Sequence, residues 1–516
     1  MFSLLESRRT VLTATLDNAP VEIICNIFRH ATRIPPLNCD DKSRSLFKQS
    51  LTALLALTAS CRRWRVIVLA DPTLWTILFA DLMSPNLLLL HLQRSAGLPL
   101  EVIITNPHPI FHSILLNEAY RFRRLVVDDL IPYATWSISF PGVPRSLEEL
   151  QIDGHRNPSP LGYPVLIFHD LLPNLHSLQL RDVSSWRMGM FKGLGHFKFL
   201  SRTPTIPLSI PLALDVLHAS PLLETLSIEG YCDPPDPEYV CQVARLSNLR
   251  QLRVVSDAVS EFLHLIDVPP STNIEIVRSL REVPGTDHNV LSCLHPGLPW
   301  INLLDGTRDL TISLGPNTMS VELRNCHGGV IVIEVNEISA RGMDHDTPPQ
   351  YASLLIHTFD AVSRLSSLKS TSSLSITISE GARKDTVYTA VDGFASSEWY
   401  NLLQHLENLK SLAVPLLGLS VIGFPLSFDM MCPSLREVAI TMDIPADEVY
   451  EEHLRRVTDF VEARGDCGSP LSSLNVDVSV ATPVPKVTRA EYIKTWSALV
   501  GDVTFFARSS RQGWRE

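Results

Sequence analysis

LENLKSLAV, residues 406–414, and CPSLREVAI, residues 432–440, share one pattern in which a short leader precedes large apolar residues that alternate with small or polar ones. Their corresponding apolar positions, Leu412 and Val438, lie 26 residues apart. Alternation with a period of two predicts a β-strand that buries one of its faces. The spacing indicates a repeated unit, so the same pattern is expected elsewhere in the chain.

Further segments carry the same strand-like core around one central apolar residue. These anchors are Leu125, Leu150, Leu178, Leu226, Leu252, Leu310, Leu374 and Leu474. Several intervals between anchors are near 26 residues, and the intervals of 48 and 58 residues could each hold two units. One strand and one helix cannot bury their apolar faces alone, so neighbouring units stack. The sequence therefore predicts an α/β fold, a curved solenoid with parallel strands inside and helices outside.

The segments between anchors predict the outer helices. Apolar spacing assigns them to residues 211–220, 238–246, 354–365 and 398–406, and to a stripe of Tyr450, Leu454, Val457 and Val461 that stops at Gly465. An earlier helix, capped by Ser84 with Pro85 in its first turn, ends at Gly97 and precedes a strand at residues 100–104. Residues 268–300 and 336–350 do not fit the repeat and are either functional inserts or disordered loops.

Composition bounds the class of protein. The chain has 516 residues, which suggests two to four domains or one long repeat array, and 45% hydrophobic residues suffice for a sizeable core. A net charge of −11 argues weakly against nucleic-acid binding. Nine cysteines without a Cys-x-x-Cys pair make a disulfide framework or zinc site improbable. We therefore expect a cytoplasmic or nuclear location.

Targeting and catalytic motifs give negative expectations. Glu6, Arg8 and Arg9 break the N-terminal apolar stretch, so it does not resemble a signal peptide, and a membrane span is not expected. The acidic and histidine run at residues 344–346 could hold a metal, but adjacent prolines favour a surface loop. Cys326-His327 is better explained as a turn after the strand at residues 320–325. We expect no enzymatic activity, catalytic residue, cofactor or metal.

The first hundred residues predict three short helices. The first spans residues 17–31, capped by Asp17 or Asn18, with Ile24, Ile27, Phe28 and Ala31 on one stripe. Val21 and Ile23 lie off that stripe, so the helix is apolar on more than one face. The second helix starts near residues 45–50, and the third carries Cys61, Trp64 and Val68 and stops at Asp71-Pro72. So small a unit cannot bury all these side chains, so another surface must cover them.

The order of these motifs resembles an F-box, in the divergent form common in mushroom-forming fungi. The chain shows Pro20, Glu22, Ile23, Ile27 and Phe28, then the run Cys61–Arg65, then Pro72, Leu74 and Trp75. Ala19 stands where the family usually has leucine. The later repeats resemble the degenerate leucine-rich repeats that follow fungal F-boxes.

The resemblance implies a substrate-recognition subunit of a Skp–cullin–F-box ubiquitin ligase, with a Skp-type adaptor and, through it, a cullin as partners. The implied adaptor-binding residues are Pro20, Glu22, Ile23, Ile24, Ile27, Phe28, Leu57 and Trp64. Cys61, Leu74 and Trp75 would form the F-box core. The implied division is an N-terminal tail (1–16), the F-box-like domain (17–80), the solenoid (81–500) and a C-terminal tail (501–516).

Two alternatives stay open. The chain could be a non-enzymatic repeat scaffold whose F-box-like cap is purely structural, or a hydrolase or transferase with its site in the long inserts. The substrate, the residues that bind it and the number of repeats do not follow from the sequence.

Overall fold

The computed structural model of the chain forms two compact units. The residues it describes are 19–32, 41–104, 114–115, 117–130, 145–154, 172–183, 186, 188–202, 207–230, 232–233, 242–255, 262–280, 306–314, 318–337, 369–378, 402–415, 432–444, 450–480 and 484–509. Unit 1 comprises residues 1–225 and 230–237, and unit 2 comprises residues 226–229 and 238–516. Both units are mixed α/β with mostly parallel strands, which confirms the predicted fold class at that level.

The helices of unit 1 begin and end largely where the sequence signals stand. They are α1 (Val21–Ala31), α2 (Asp41–Ser60), α3 (Arg62–Ala70), α4 (Pro85–Arg94) and α5 (Ile210–His218). Ser84 caps α4, because its hydroxyl accepts the Leu87 N–H at 3.3 Å. Helix α2 begins earlier than predicted, at Asp41, and the predicted caps Asp17 and Asn18 lie outside the described residues.

The strands of unit 1 form a parallel series in chain order. They are β1 (Ile77–Phe79), β2 (Leu100–Ile104), β3 (Phe122–Leu130), β4 (Glu149–Gly154), β5 (Ser177–Arg181) and β6 (His196–Leu200). Two short strands, β7 (Leu208–Ser209) and β9 (Cys232–Asp233), pair separately. One buried row crosses the series in register, namely Leu78, Val102, Leu125, Leu150, Leu178 and Phe197. The predicted anchors therefore mark one continuous core row.

Among its described residues, unit 2 holds the remaining strands and two helices of more than ten residues. The strands are β8 (Thr225–Glu229), β10 (Ala244–Arg245), β11 (Gln251–Val255), β12 (Ile266–Asp267), β13 (Asn273–Leu280), β14 (Thr307–Leu314), β15 (Thr318–Asn325), β16 (Val330–Glu337), β17 (Ser373–Ile378), β18 (Ser411–Pro415), β19 (Glu437–Ile444), β20 (Ser473–Val480) and β21 (Asp502–Ser509). The helices are α6 (Tyr450–Asp466) and α7 (Lys486–Ser497). Strands β17 to β21 are parallel and follow chain order.

Strands β14, β15 and β16 form an antiparallel meander whose order in the sheet is the reverse of their order in the chain. β13 pairs parallel with β16, the chain then runs back through β15 to β14, and β14 pairs parallel with β17. The core row nevertheless stays continuous, because Leu310 is in register with both Leu323 and Leu374. Strands β15 and β16 lie within the 64-residue interval between the anchors Leu310 and Leu374.

Several sequence expectations need correction. Residues 268–300 were expected to lie outside the repeat, but β13 occupies part of that stretch, since Ile274 and Ile276 are buried in alternation with Glu275. The strands β6 and β13 supply the hidden units in the 48- and 58-residue intervals. Ala244–Arg245, expected to be helical, pairs as strand β10 with β12. The expected C-terminal tail from residue 501 is also wrong in part, because β21 pairs with β20.

Other expected elements lie beyond what the structure describes. These are the N-terminal tail, the helix at residues 354–365, the acidic run at 344–346, and most of the stretch 336–350. Among the outer helices, α5 and α6 are confirmed, and residues 402–404 of the expected helix 398–406 are helical. The turn at Cys326-His327 after β15 is confirmed as well.

Candidate functional site

The apolar residues of helix α1 separate into a buried stripe and an exposed face. Ile24 and Phe28 are only 1% and 2% exposed. Pro20, Ile23 and Ile27 follow the spacing i, i+3, i+7 and share another face, on which Ile23 is 50% and Ile27 is 42% exposed. We call Pro20, Ile23 and Ile27 the α1 outer face. The helix therefore packs into its own unit with one stripe and presents a second apolar stripe to solvent.

The buried stripe of α1 belongs to a small hydrophobic cluster. Its members come from all three helices and the turn that follows, namely Ile24, Phe28, Leu54, Ile67, Val68 and Trp75. The Trp64 ring meets Phe28 edge to face, with ring centroids 5.2 Å apart. The Trp75 indole N–H donates to the Val68 carbonyl at 2.9 Å, which satisfies its polar group inside the core.

Helix α3 is held at its first turn by two side-chain contacts. Cys61 has extended backbone angles and its sulfur accepts the Trp64 N–H at 3.4 Å, so the cysteine acts as a weak N-cap. Arg63 donates through Nη2 to the Ala19 carbonyl at 2.6 Å. This second bond fixes where the chain enters α1 and thereby sets the direction of the α1 outer face.

A buried carboxylate joins the end of α3 to the end of α1. Asp71 follows α3 and accepts hydrogen bonds from the Thr73 N–H and hydroxyl, at 3.1 and 2.6 Å. Its other oxygen accepts from Arg29 Nε at 2.9 Å. Burial alone would raise the pKa of Asp71, but the bonds from Thr73 and Arg29 outweigh it and leave that pKa below its ordinary value. The carboxylate is therefore charged and locks α1 against α3.

Helix α4 closes the cluster from another side. The imidazole of His91 lies edge to face against Trp75, with ring centroids 4.9 Å apart, and the residue is 2% exposed. Burial lowers the pKa of His91 to about 4, because the charged ring would lose its hydration. The imidazole that packs against Trp75 is consequently neutral at pH 7.

Each of the three N-terminal helices carries a further exposed apolar side chain. Val21, 48% exposed, lines a shallow groove of about 460 Å³ with Val66, Ile67 and the arginine pair Arg62-Arg63. Val66 is 61% exposed, and Leu55 on α2 is 43% exposed. A few such residues are ordinary on any surface, and only a contiguous apolar patch distinguishes a binding surface.

The structure divides the predicted adaptor-binding residues into two groups. Pro20, Glu22, Ile23 and Ile27 are exposed, whereas Leu57 and Trp64 are half-buried against the cluster. Ile24 and Phe28 are inside the core, so they can only support a partner surface from beneath. Of the predicted stripe, Ile24 and Phe28 are buried, whereas Ile27 and Ala31 are exposed.

The three residues predicted to form the core of the helical domain differ in burial. Trp75 is 1% exposed, and Leu74 and Cys61 are half-buried. The sequence analysis did not identify Val66 or the groove beside it. The signal was available, because Val66 is apolar but lies off the helix face that Cys61, Trp64 and Val68 share. The buried His91 was also missed.

Comparison with known proteins does not assign the chain to a family. No protein-family model matches the chain, and no curated protein matches it. Within the part of the chain that the structure describes, no helix is both long and apolar enough to cross a bilayer. The same residues contain no cluster of three His, Cys, Asp or Glu placed to hold a metal ion.

Proposed function

We propose that the chain is a substrate-recognition subunit of a Skp–cullin–F-box ubiquitin ligase. The N-terminal helices bind the Skp-type adaptor, and the stacked strands bind a protein substrate. The observation that carries the proposal is the α1 outer face: Ile23 and Ile27 are half exposed on a helix whose other stripe is already packed. These positions coincide with motif residues of the resemblance.

The mechanism is one of proximity. A receptor that holds the adaptor at one end and a substrate elsewhere raises the effective concentration of the substrate near the ubiquitin donor. The chain itself makes and breaks no bonds. The series of in-register parallel strands supports this role, because stacked repeats commonly present extended binding surfaces.

Helical anchors of this kind bind in a partner groove. An amphipathic helix places apolar side chains at i, i+3 and i+7 into such a groove, and the buried anchors dominate the binding energy. Asp71 and Arg63 hold α1 in place beforehand, so less conformational freedom is lost on binding.

The test is co-expression of the full chain with a fungal Skp-type adaptor, followed by size exclusion. The wild type is expected to co-elute with the adaptor, and the double variant Ile23→Asp, Ile27→Asp is expected to lose the complex. Leu89→Asp is the matched control, since Leu89 is 51% exposed on α4 outside the α1 outer face. Changing Phe28 would be uninformative because its loss unfolds the core.

The second candidate is a repeat scaffold whose helical cap is only structural. The packing of Ile24, Phe28 and Trp75 into one internal cluster favours it. Failure of the folded wild type to bind the adaptor would support the scaffold and contradict the receptor proposal.

A further inference from the structure

Two histidine side chains of unit 1 are in direct contact where the strands β5 and β6 begin. His176 immediately precedes β5, and His196 is the first residue of β6. Their imidazole rings meet edge to face, with ring centroids 4.8 Å apart and an interplanar angle of 87°. The two residues are 20 positions apart in the chain, so no local spacing motif predicts the contact.

Backbone hydrogen bonds hold the two histidines beside each other. The N–H groups of Gly195 and His196 donate to the His176 carbonyl, at 2.8 and 3.0 Å. The N–H group of Thr225 donates to the Gly195 carbonyl at 3.1 Å, which brings a third segment to the same place. The pairing of neighbouring segments therefore determines where the two imidazoles lie, and such a scaffold places side chains more precisely than a free loop does.

Gly195 leaves room for the imidazole of His176. A Cβ atom at position 195 would lie only 1.9 Å from Cε1 of His176. The ring of His176 thus takes the space that a side chain at position 195 would need, next to His196. Gly195 is buried, whereas His176 is exposed, so the ring of His176 is able to rotate.

Thr225 orients the ring of His196. The Nδ1 atom of His196 and the hydroxyl oxygen of Thr225 are 2.6 Å apart, within hydrogen-bond distance. When Nδ1 carries the ring proton and donates it to this oxygen, the free lone pair is on Nε2. Histidines that bind a metal commonly have such a partner on the other nitrogen, because it fixes the tautomer and the orientation of the ring.

The remaining ring nitrogens are free to bind a ligand. Nε2 of His196 and both nitrogens of His176 have no hydrogen-bond partner within the described ranges. Two aromatic rings attract each other edge to face whatever their nitrogens bind. The contact between the rings alone would therefore not require the Thr225 partner or the unpartnered nitrogens, whereas a metal site uses both.

We propose that His176 and His196 together bind a zinc ion. Zn–N distances are about 2.0–2.1 Å, so two nitrogens on one tetrahedral ion lie about 3.3 Å apart. Rings whose centroids are 4.8 Å apart reach this separation when the exposed ring of His176 rotates. The inference is independent of the proposed function, and it differs from the expectation from the sequence that the chain has no metal site.

The zinc site has two protein ligands and an open side. The described residues contain no group of three His, Cys, Asp or Glu that could hold a metal ion. Two of the four positions of a tetrahedral zinc ion therefore remain for water or for a side chain of a bound protein.

The experiment measures how fast diethyl pyrocarbonate modifies each histidine of the full chain, by peptide mass spectrometry, with zinc chloride or magnesium chloride added. A zinc-bound imidazole has no free lone pair, so zinc should slow the modification of His176 and His196 about tenfold. Magnesium prefers oxygen ligands and should not slow it. His30, exposed on α1, is the internal control whose rate should not change.

Variants test whether the two histidines act together. His176→Phe keeps an aromatic ring beside His196 but removes the ligand nitrogens, so zinc should no longer protect His196. Gly195→Ala keeps both histidines but displaces the ring of His176, and it should also abolish the protection. Thr225→Val should raise the zinc concentration needed for half-protection about tenfold. The matched control His30→Phe should leave the protection of both histidines unchanged.

Three outcomes would overturn the proposal. Protection of His196 that survives in His176→Phe would show that one imidazole binds zinc without the other. Equal slowing at His30, His176 and His196 would show non-specific binding of zinc to exposed histidines. No slowing at His176 and His196 would leave the pair as an aromatic contact only. None of these results bears on the adaptor complex, which size exclusion tests separately.

Discussion

The N-terminal helices and the strands of unit 2 use their apolar residues differently. Each predicted strand anchor of unit 2, from Leu252 to Leu474, is at most 2% exposed, and the register aligns them in one row. The three N-terminal helices and the turn after them bury Ile24, Phe28 and Trp75 equally well, but the helices leave Ile23, Ile27 and further apolar residues about half exposed.

This difference distinguishes apolar residues that stabilise the fold from apolar residues that remain available to bind a partner. A strand has one core face, and its alternating leucines all lie on that face. They are therefore all buried against neighbouring units. A short three-helix cluster cannot bury apolar side chains on several faces. The surplus on α1 has no structural use inside its own unit, which is why we assign it to a partner.

The largest expected effect is on the core of the helical cluster. Trp75→Ala removes a fully buried ring and its bond to the Val68 carbonyl, and should cost about 3–5 kcal/mol of unfolding free energy. Urea-dependent amide exchange of α1 to α3 in the full chain measures it. A loss below about 1 kcal/mol would mean that these helices have no specific core.

The strand row should respond almost as strongly. Leu412→Ala is expected to destabilise β17–β19 by about 2–5 kcal/mol, because Leu412 is fully buried in the core row. Ala413→Ser, the neighbouring outward position, should change stability by no more than about 0.5 kcal/mol. Similar effects at both positions, read by amide exchange, would contradict the assigned register.

The buried histidine gives the helical cluster a pH dependence. The pKa of His91 falls from 6.5 to about 4 on folding, so the unfolded chain binds the proton first as the pH drops. The contribution of neutral His91 to the free energy of unfolding is fully present above pH 6.5. It decreases by up to about 3 kcal/mol as the pH falls towards 4. His91→Leu should flatten this dependence in unfolding curves across that range. An unchanged slope in the variant would assign the dependence to other groups.

The Asp71–Arg29 contact should contribute less. Asp71→Asn removes the charge but keeps an oxygen for Thr73, and Arg29 is half exposed, so we expect a loss of about 1 kcal/mol. The pKa of Asp71 is lowered on folding, so its contribution is present above the ordinary carboxyl pKa and disappears as the pH falls below it. Urea unfolding at neutral pH and at progressively lower acidic pH should show the difference in unfolding free energy between wild type and variant become smaller as the pH falls.

The smallest effect should come from the α1 outer face. Ile23→Asp with Ile27→Asp is expected to change the free energy of unfolding by no more than about 0.5 kcal/mol per residue, since each side chain is already about half exposed and lies outside the core cluster. Thermal unfolding of the double variant is compared with that of Phe28→Asp, which should unfold the cluster. A collapse of the double variant would show that α1 packs differently.

The sequence predicted the strands better than the surfaces. Alternation located Leu412 and Val438 because strand burial depends on local parity. It failed at Ile274, whose strand lies among prolines, and at the reversed order of β14 to β16, which depends on long-range pairing. On α1 both stripes are apolar, so a 3.6-residue period could not tell which one enters the core. His91 was not predictable because its burial depends on contact with Trp75.

The most direct test of the central claim is amide hydrogen exchange of the full chain with and without a Skp-type adaptor. The account predicts slower exchange in α1 and the first turn of α3 when the adaptor is present, with α4 and β17–β21 unchanged. An unchanged α1 in a sample that contains adaptor in excess would contradict the assignment of its exposed apolar face to that partner.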